Sequence, residues 1–377
     1  MVSKKLLFVV NVPEFFISHR LPIAIEAQKK GFEVHVASAK GLDVSIIQSL
    51  GFSHHVVPFA RSGQNPFHEL MTLICLVKLF SSVKPLLVHL ITIKPVLYGG
   101  IAARLTGVQA VVSAVSGLGT VFLATSLVAR VRRRLVTFLY RLAFNQNRLA
   151  VIFQNPDDQD ALLNLKVLMP EQARMIRGSG VDLKEYPVYP EPEGKPVITM
   201  AARLLKDKGV YEFLEAARIL KLRNVSVEMR LIGSPDLENP NSISLQEFEE
   251  WKVNEPVSLL GFRKDISLQY ASSNIVCLPS YYGEGLPKSL VEAAACGRAV
   301  ITTNHPGCRD AITPNVTGLL VPVKNSVELA DAIQSLVDNP QRRKQMGQAG
   351  RKLAEDAFAI KTIVEQHMTI YRELLEP

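Results

Sequence analysis

The 377-residue chain is short of several things, and each scarcity removes a class of reading. Its four cysteines, Cys75, Cys277, Cys296 and Cys308, show no paired spacing, so reduced thiols in a cytoplasmic protein are expected rather than a disulfide framework or a zinc module. No stretch of 18 uncharged apolar residues occurs, so no membrane span is expected. The apolar run after Lys5 breaks at Asn11 and Pro13, unlike a signal peptide. Where a dinucleotide-binding domain would carry a glycine-rich loop after its first strand, this chain has "NVPEFFISHRLP", which offers no NAD fingerprint. Between Glu69 and Asp157 there is no acidic residue at all.

That acid-free block holds Lys78, Lys84, Lys94, Arg104, Arg130, Arg132, Arg133, Arg134, Arg141 and Arg148. Residues 1–182 carry 20 Lys+Arg against 10 Asp+Glu, whereas residues 183–377 carry 23 against 25. A positive first half implies an anionic partner: nucleic acid, a membrane surface or a phosphorylated substrate. Aromatic side chains for base stacking are few in the block, which gives nucleic acid no support. From Leu127 to Leu142, the residues Leu127, Val128, Val131, Leu135, Phe138, Leu139 and Leu142 share one helical arc, edged by Arg130, Arg134 and Arg141. This is the composition of an interfacial membrane helix; the alternative is a core-facing helix with a solvated basic face.

The 47% apolar content can bury a large core in two domains. Short apolar runs at Leu6–Val10, Glu33–Ala37, Leu86–Leu90, Ala110–Val112 and Leu149–Phe153 alternate with helical stretches, the first spanning about Ser18 to Lys30. The pattern restarts at Val197–Ala201, Val227–Ile232, Val257–Leu260, Ile275–Leu278 and Ala299–Thr302. Both halves therefore read as doubly wound α/β domains with parallel sheets, facing a cleft at the carboxyl ends of their strands. The expected boundaries are an N-terminal domain over 1–185, a Pro/Glu-rich linker over 186–196, a C-terminal domain over 197–356, and a last helix over 357–377 that returns to the N-terminal domain.

Chemistry concentrates in Tyr282–Gly297, "YGEGLPKSLVEAAACG". Pro287 and Gly297 bracket a helix. Glu284 precedes it and Glu292 lies inside it among Leu290, Val291, Ala293, Ala294 and Ala295, where a carboxylate needs a polar partner. In "RLLKDKG", Arg203 and Lys208 flank a strand end and Gly209 opens a helix, a setting that suits a diphosphate. Gly261 would let a ligand approach the backbone of Phe262 and Arg263, and Asp265 reads as a helix N-cap. His19 and Arg20 stand at the start of the first helix, while Thr92, Lys94, Ser116, Gly117, Leu118 and Gly119 fall at strand ends of the first sheet. Asp158-Gln159-Asp160 resembles a metal-binding DxD, but Asn155 and Pro156 before it mark a helix N-terminus, so a first-turn role is expected.

The spacing Glu284-x7-Glu292 with Gly285, Leu286 and Pro287, the Arg203 and Lys208-Gly209 pair, the "LGFRKD" loop and the "FFISHRLP" and "SGLGTVF" stretches together resemble family 4 retaining glycosyltransferases of the GT-B fold. Within that family the resemblance is to bacterial enzymes that extend undecaprenyl-diphosphate-linked saccharides for O-antigen, capsule or glycoprotein glycans, N-acetylgalactosaminyltransferases among them. It implies a UDP-sugar donor, a lipid-linked saccharide acceptor, retention of anomeric configuration, and no metal or other cofactor. Arg203 and Lys208 would meet the donor diphosphate, Glu284 the sugar hydroxyls and Glu292 the ribose. Gly261, Phe262 and Arg263 would meet the base, and His19, Arg20, Lys94, Ser116, Gly117 and Gly119 the acceptor side. One departure stands out: Ile93 occupies about the place where many members carry a histidine, and His89 reads as buried in its strand. The implied location is the cytoplasmic face of an anionic inner membrane. A UDP-sugar epimerase of the same fold and a basic nucleic-acid binder are the alternatives.

Overall fold

The computed structural model describes residues 4–60, 65–118 and 127–376. The chain forms two compact units, Met1–Ser179 with Lys361–Pro377, and Gly180–Ile360. In the first, β1 (Lys4–Val9), β2 (Phe32–Ser38), β3 (Ser53–Val56), β4 (Leu87–Ile91), β5 (Ala110–Val115), β6 (Leu149–Phe153) and β7 (Ala173–Met175) form a sheet in the order β3-β2-β1-β4-β5-β6-β7, with every pairing parallel. Its helices are α1 (Pro13–His19), α2 (Leu21–Lys29), α3 (Val44–Ser49), α4 (Pro66–Val83), α5 (Gly100–Thr106), α6 (Leu127–Phe144) and α7 (Pro156–Asn164). Central strands such as β4 and β6 are buried along their whole length, the reason they read as unbroken apolar runs.

The second unit repeats the plan with β8 (Val197–Ala201), β9 (Glu228–Ile232), β10 (Ser258–Gly261), β11 (Ile275–Leu278), β12 (Ala299–Thr303) and β13 (Gly318–Val321), ordered β10-β9-β8-β11-β12-β13. Around it lie α8 (Val210–Leu222), α9 (Leu245–Asn254), α10 (Ile266–Ala271), α11 (Lys288–Ala295), α12 (Ser326–Val337) and α13 (Pro340–Leu353). The last helix, α14 (Ile360–Leu375), leaves this unit and sinks Ile363, Ile370 and Tyr371 into the core of the first. In each sheet the strand order reverses once, between β1 and β4 and between β8 and β11. Ligands of such sheets sit at the carboxyl ends of those strands.

Several expectations need correcting. The helix expected over 18–30 is two helices broken at Arg20, because Pro22 lacks an N–H and its ring would clash with the carbonyl of residue 18 in a continuous helix. The short strands β3, β7 and β13 escaped the sequence reading; each is an outermost strand of its sheet and none is buried throughout. The stretch 186–196, expected as a linker, is fastened to the second unit. Glu191 pairs with Arg343 at 2.8 Å, and the carbonyls of Pro190 and Pro192 accept from Arg298 and Asn274. The chain passes between units at Ser179/Gly180 and Ile360/Lys361 instead.

Candidate active site

At the carboxyl edge of the second sheet, the segment after β8 approaches the end of β11 so closely that a Cβ on Gly209 would lie 2.2 Å from the Pro279 carbonyl oxygen. Gly209 also has φ +81°, so both the space and the conformation require glycine. That approach brings Lys208, buried to 8% exposure, against the loop after β11. Its Nζ lies 2.6 Å from Glu284 Oε1, and the Ser280 hydroxyl donates to the same oxygen at 3.1 Å. The ammonium also sits 5.3 Å from the centre of the Tyr282 ring. From behind, Gly307 supports this loop: a Cβ there would come within 2.5 Å of the Gly285 oxygen and 2.6 Å of the Glu284 oxygen.

Two helices start here, α8 from Gly209 and α11 from Pro287, and neither has a side-chain cap. Their first-turn N–H groups and positive dipole ends, beside Lys208, suit an anionic diphosphate. Arg203 stands further out, its guanidinium exposed and 3.1 Å from Asp236 Oδ2.

Glu292 is buried in α11, as its neighbours implied, and its polar partner is Tyr186. The Tyr186 hydroxyl donates to Oε1 at 2.7 Å, and Lys288 Nζ lies 3.5 Å from the same oxygen. Burial pushes the Glu292 carboxyl above its usual range, against the pull of Lys288 and of the Tyr186 hydrogen bond. Burial and the neighbouring Glu292 charge also raise the Tyr186 phenol, which keeps it a hydrogen-bond donor. The backbone of Tyr186 is itself held, its carbonyl accepting from Arg351 at 2.8 Å.

In the expected base loop, Gly261 has φ +64° with open space beside it and Phe262 is exposed. Arg263 is gripped by Asp265 through two hydrogen bonds of 2.8 and 2.6 Å. Asp265 occupies the N-cap position of α10, but its side chain makes no capping bond; its carboxylate is taken by Arg263 and Gln269.

The first unit treats its candidates differently. His19 stacks on Phe15 with ring centres 4.0 Å apart. Arg20, expected beside the strand ends, is 1% exposed: the break between α1 and α2 leaves its side chain inside the unit, electrostatically coupled to His89, His367 and Tyr371. Lys94 is committed to Glu69 at 2.6 Å and to the Ala60 carbonyl at 3.0 Å. Just past the ends of the adjacent strands β1, β4 and β5, the buried atoms Asn11 Oδ1, Thr92 Oγ1 and Ser116 Oγ have no hydrogen-bond partner among the described residues. Thr92 holds φ +73° and Gly117 φ +104°; for a β-branched residue the former is a strained conformation of the kind found at functional sites. Gly119 lies outside the described residues. Arg130, Arg134 and Arg141 are exposed on α6. His89 is fully buried in β4, as expected.

Asn155 accepts from the Asp158 N–H at 2.9 Å with Pro156 following it, so Asp157 and Asp158 lie in a capped first turn, as expected, while Asp160 falls just beyond it. Cys277, Cys296 and Cys308 are buried free thiols, with burial pushing Cys308 up to about 12. Sequence reasoning missed Tyr186, Ser280, Gly307 and Asn11. Tyr186 was hidden because it meets Glu292 across more than a hundred residues; Gly307 carries a local signal, a glycine after a proline just past the end of β12.

Comparison with known proteins agrees with this arrangement. A model of the family "Glycosyl transferase 4-like" matches residues 5–155, and one of "Glycosyl transferases group 1" matches residues 183–353. The chain is 29% identical to a Campylobacter jejuni N,N'-diacetylbacillosaminyl-diphospho-undecaprenol alpha-1,3-N-acetylgalactosaminyltransferase, over 96% of this chain and 98% of that one. It is 27% identical to an Escherichia coli UDP-Gal:alpha-D-GlcNAc-diphosphoundecaprenol alpha-1,3-galactosyltransferase over 72% and 71% of the two chains. Among solved structures, the fold is shared with sucrose-phosphate synthase of Thermosynechococcus elongatus (TM-score 0.80, 23% identity, 98% and 99% of the chains). It is shared also with Anabaena HepE in complex with UDP (TM-score 0.76, 19% identity, 98% and 100%). With both halves matched in order and both sheets wound alike, the chain belongs to the family 4 glycosyltransferases of the GT-B fold.

Proposed function

We propose that the protein transfers a sugar of the N-acetylhexosamine type from a UDP-sugar to a polyprenyl-diphosphate-linked saccharide, with retention and without a catalytic metal, on the cytoplasmic face of an anionic membrane. The observation that carries this reading is the Lys208–Glu284 pair at 2.6 Å, set at the strand-order reversal between two uncapped helix starts. A diphosphate arriving there takes the ammonium and the helix N–H groups. Lys208 then neutralises charge that grows on the departing nucleotide, a term that preorganised donors supply at low reorganisation cost. Released from Lys208, the Glu284 carboxylate accepts sugar hydroxyls, and the Glu292 oxygen not held by Tyr186 accepts from the ribose. Arg203, exposed and close to Asp236, swings onto the outer phosphate. Within the first unit, the unpartnered oxygens of Asn11, Thr92 and Ser116 supply acceptors for a hydroxyl-rich substrate. The acceptor and donor classes named for the Campylobacter and Escherichia relatives and the UDP complex of HepE support the choice of substrates.

The test is incubation of the full chain with a panel of UDP-sugars and a short polyprenyl-diphosphate saccharide, read by mass, with the product anomer read by NMR and a chelator arm. One added hexosamine with retained configuration, undiminished by chelator and lost in Lys208→Ala and Glu284→Ala, is the expected result. Conversion of a UDP-sugar without any acceptor would identify an epimerase and remove the transferase reading. Near-normal turnover by either variant would remove the assigned roles.

A further inference from the structure

Sequence periodicity put Val131, Leu135, Phe138 and Leu139 on one arc of α6, and the structure packs Leu139 against the core but turns the other three away from it. The helix packs inward through Thr137, Tyr140, Ala143 and Phe144, while Val131, Leu135 and Phe138 remain 67%, 58% and 55% exposed. A second unpartnered stripe lies on α4. Phe67, Leu70, Met71 and Ile74, spaced i, i+3, i+4 and i+7 and so on one helical face, are 79%, 54%, 60% and 40% exposed. The opposite face of α4 is fixed by Leu76 and Phe80 in the same apolar cluster that holds Tyr140 and Phe144 of α6, and α5 packs against both helices.

The two stripes lie towards the same edge of the first unit's sheet. α4 runs from the carboxyl edge of the sheet back to the start of β4, and α6 does the same to the start of β6. The exposed apolar residues occupy the amino-terminal half of α4 and lie before the last turns of α6, towards the strand ends where substrates of this fold bind. Four large exposed apolar groups on α4 and three on α6, the helices on which α5 packs, exceed the scatter of single apolar residues on ordinary surfaces. Their charged surroundings are of one sign: Lys78 continues the α4 stripe, Arg130 and Arg134 edge the α6 stripe, and no acid occurs between Glu69 and Asp157. Glu69 itself is neutralised by Lys94.

We propose that α4 and α6 form a docking face for an anionic bilayer, with Phe67, Leu70, Met71 and Ile74 lying among acyl chains at the headgroup boundary and Lys78, Arg130 and Arg134 meeting lipid phosphates. α4 is long and apolar enough to cross a membrane by length and composition. Its buried face, Thr72, Leu76, Phe80 and Val83, binds it into the unit, so it lies in the interface plane instead. Charge complementarity selects the occupant: acidic lipid matches the basic edge, and the apolar stripe gives it hydrocarbon to enter, which a nucleic acid would not offer. The inference rests on the membrane part of the proposed function and adds which helix enters the lipid.

The experiment uses the full chain in flotation with vesicles of phosphatidylglycerol and phosphatidylethanolamine, against vesicles of phosphatidylcholine alone. The protein floats with the anionic vesicles, and Leu70→Ser with Ile74→Ser lowers the bound fraction about tenfold at an unchanged circular-dichroism spectrum and melting midpoint. The chain has a single tryptophan, Trp251, in the core of the second unit. A Phe67→Trp variant therefore reports locally: its added emission shifts to the blue and is quenched by brominated acyl chains. No quenching, wild-type flotation by the double variant, or binding to an oligonucleotide in place of vesicles would overturn the proposal. Sugar transfer to a short, water-soluble acceptor separates the two readings. Flotation without transfer would sink the transferase reading alone, and transfer without flotation the docking face alone.

Discussion

The Tyr186 hydroxyl donates to Glu292 Oε1 at 2.7 Å, from a stretch of chain fixed by Arg351 through the Tyr186 carbonyl. Burial disfavours the charged form of Glu292, and this hydrogen bond works the other way. Tyr186 is thus a positioning residue: it keeps one oxygen occupied and favours the ionised form against burial, and in the proposed function the other oxygen meets the nucleotide. Removing only the hydroxyl, Tyr186→Phe should weaken UDP binding about tenfold, the scale of one hydrogen bond to a charged group. Without that bond the carboxyl is protonated at a higher pH, so the loss should deepen as pH falls. Calorimetric titration with UDP between pH 8 and 5.5 checks this, and parallel curves for the two proteins would reduce Tyr186 to a packing role.

Lys208 and Glu284 are both largely buried, so each charge depends on the other. Lys208→Met should cost about 3 kcal/mol of stability by leaving the carboxylate without its cation. The double variant Lys208→Met with Glu284→Gln should recover about 1–3 kcal/mol of what the single changes add up to. Transfer activity should be absent in all three. Urea unfolding of the four proteins gives the coupling, and additive costs would show that the two charges do not stabilise each other.

How much of this the sequence disclosed depends on what kind of contact was involved. The doubly wound plan was legible because strands such as β6 are buried on both faces and read as continuous apolar runs. Lys208, Glu284 and Glu292 were legible because the turn and helix residues around them, Gly209, Pro287 and Gly297, are local signals. Tyr186 was not, since its partner lies on a different element and its Pro-rich neighbourhood looks like a tether. Arg20 misled for a related reason. Its position beside a helix start suggested a strand-end role, but Pro22 breaks the helix and the guanidinium ends in the core. On α6, periodicity identified an apolar arc correctly yet could not tell which of two faces meets the sheet; the packing of Tyr140 and Phe144 decides that.

Gly307 has φ +81°, and an added Cβ would strike the backbone oxygens of Glu284 and Gly285. Gly307→Ala should therefore displace the loop that carries Glu284, costing about 1–3 kcal/mol and most of the UDP-sugar affinity. Gly107 is the control: its φ is +68°, but nothing lies within 4 Å of its Cβ position. Gly107→Ala should carry only backbone strain, about 1 kcal/mol, with donor binding unchanged. Equal donor affinity in both variants would separate Gly307 from the site.

Inside the first unit, His89 Nδ1 lies 2.5 Å from the Tyr371 hydroxyl and the His89 and His367 rings stack 5.6 Å apart. Arg20 acts on both histidines electrostatically. Burial, then the neighbouring His367 and Arg20 charges, hold His89 well below the usual histidine range. Burial and Arg20 bring His367 down to about 3. Arg20, lowered by burial to about 10, remains a cation at acid pH, and the raised Tyr371 phenol remains neutral. The folded protein thus binds fewer protons here than the unfolded chain below pH 6.5 or so. This stability is fully present above that pH and is lost as pH falls towards about 3, at up to about 1.4 kcal/mol per pH unit for each histidine. Because His367 and Tyr371 lie on α14 and His89 on β4, acid should loosen the C-terminal helix first. His367→Leu removes one titrating group, so its urea midpoint should fall less between pH 7 and pH 4.5 than that of the wild type. Hydrogen exchange in 360–375 should rise with acid in the wild type and less in the variant. An identical pH slope in the two proteins would place the acid sensitivity elsewhere.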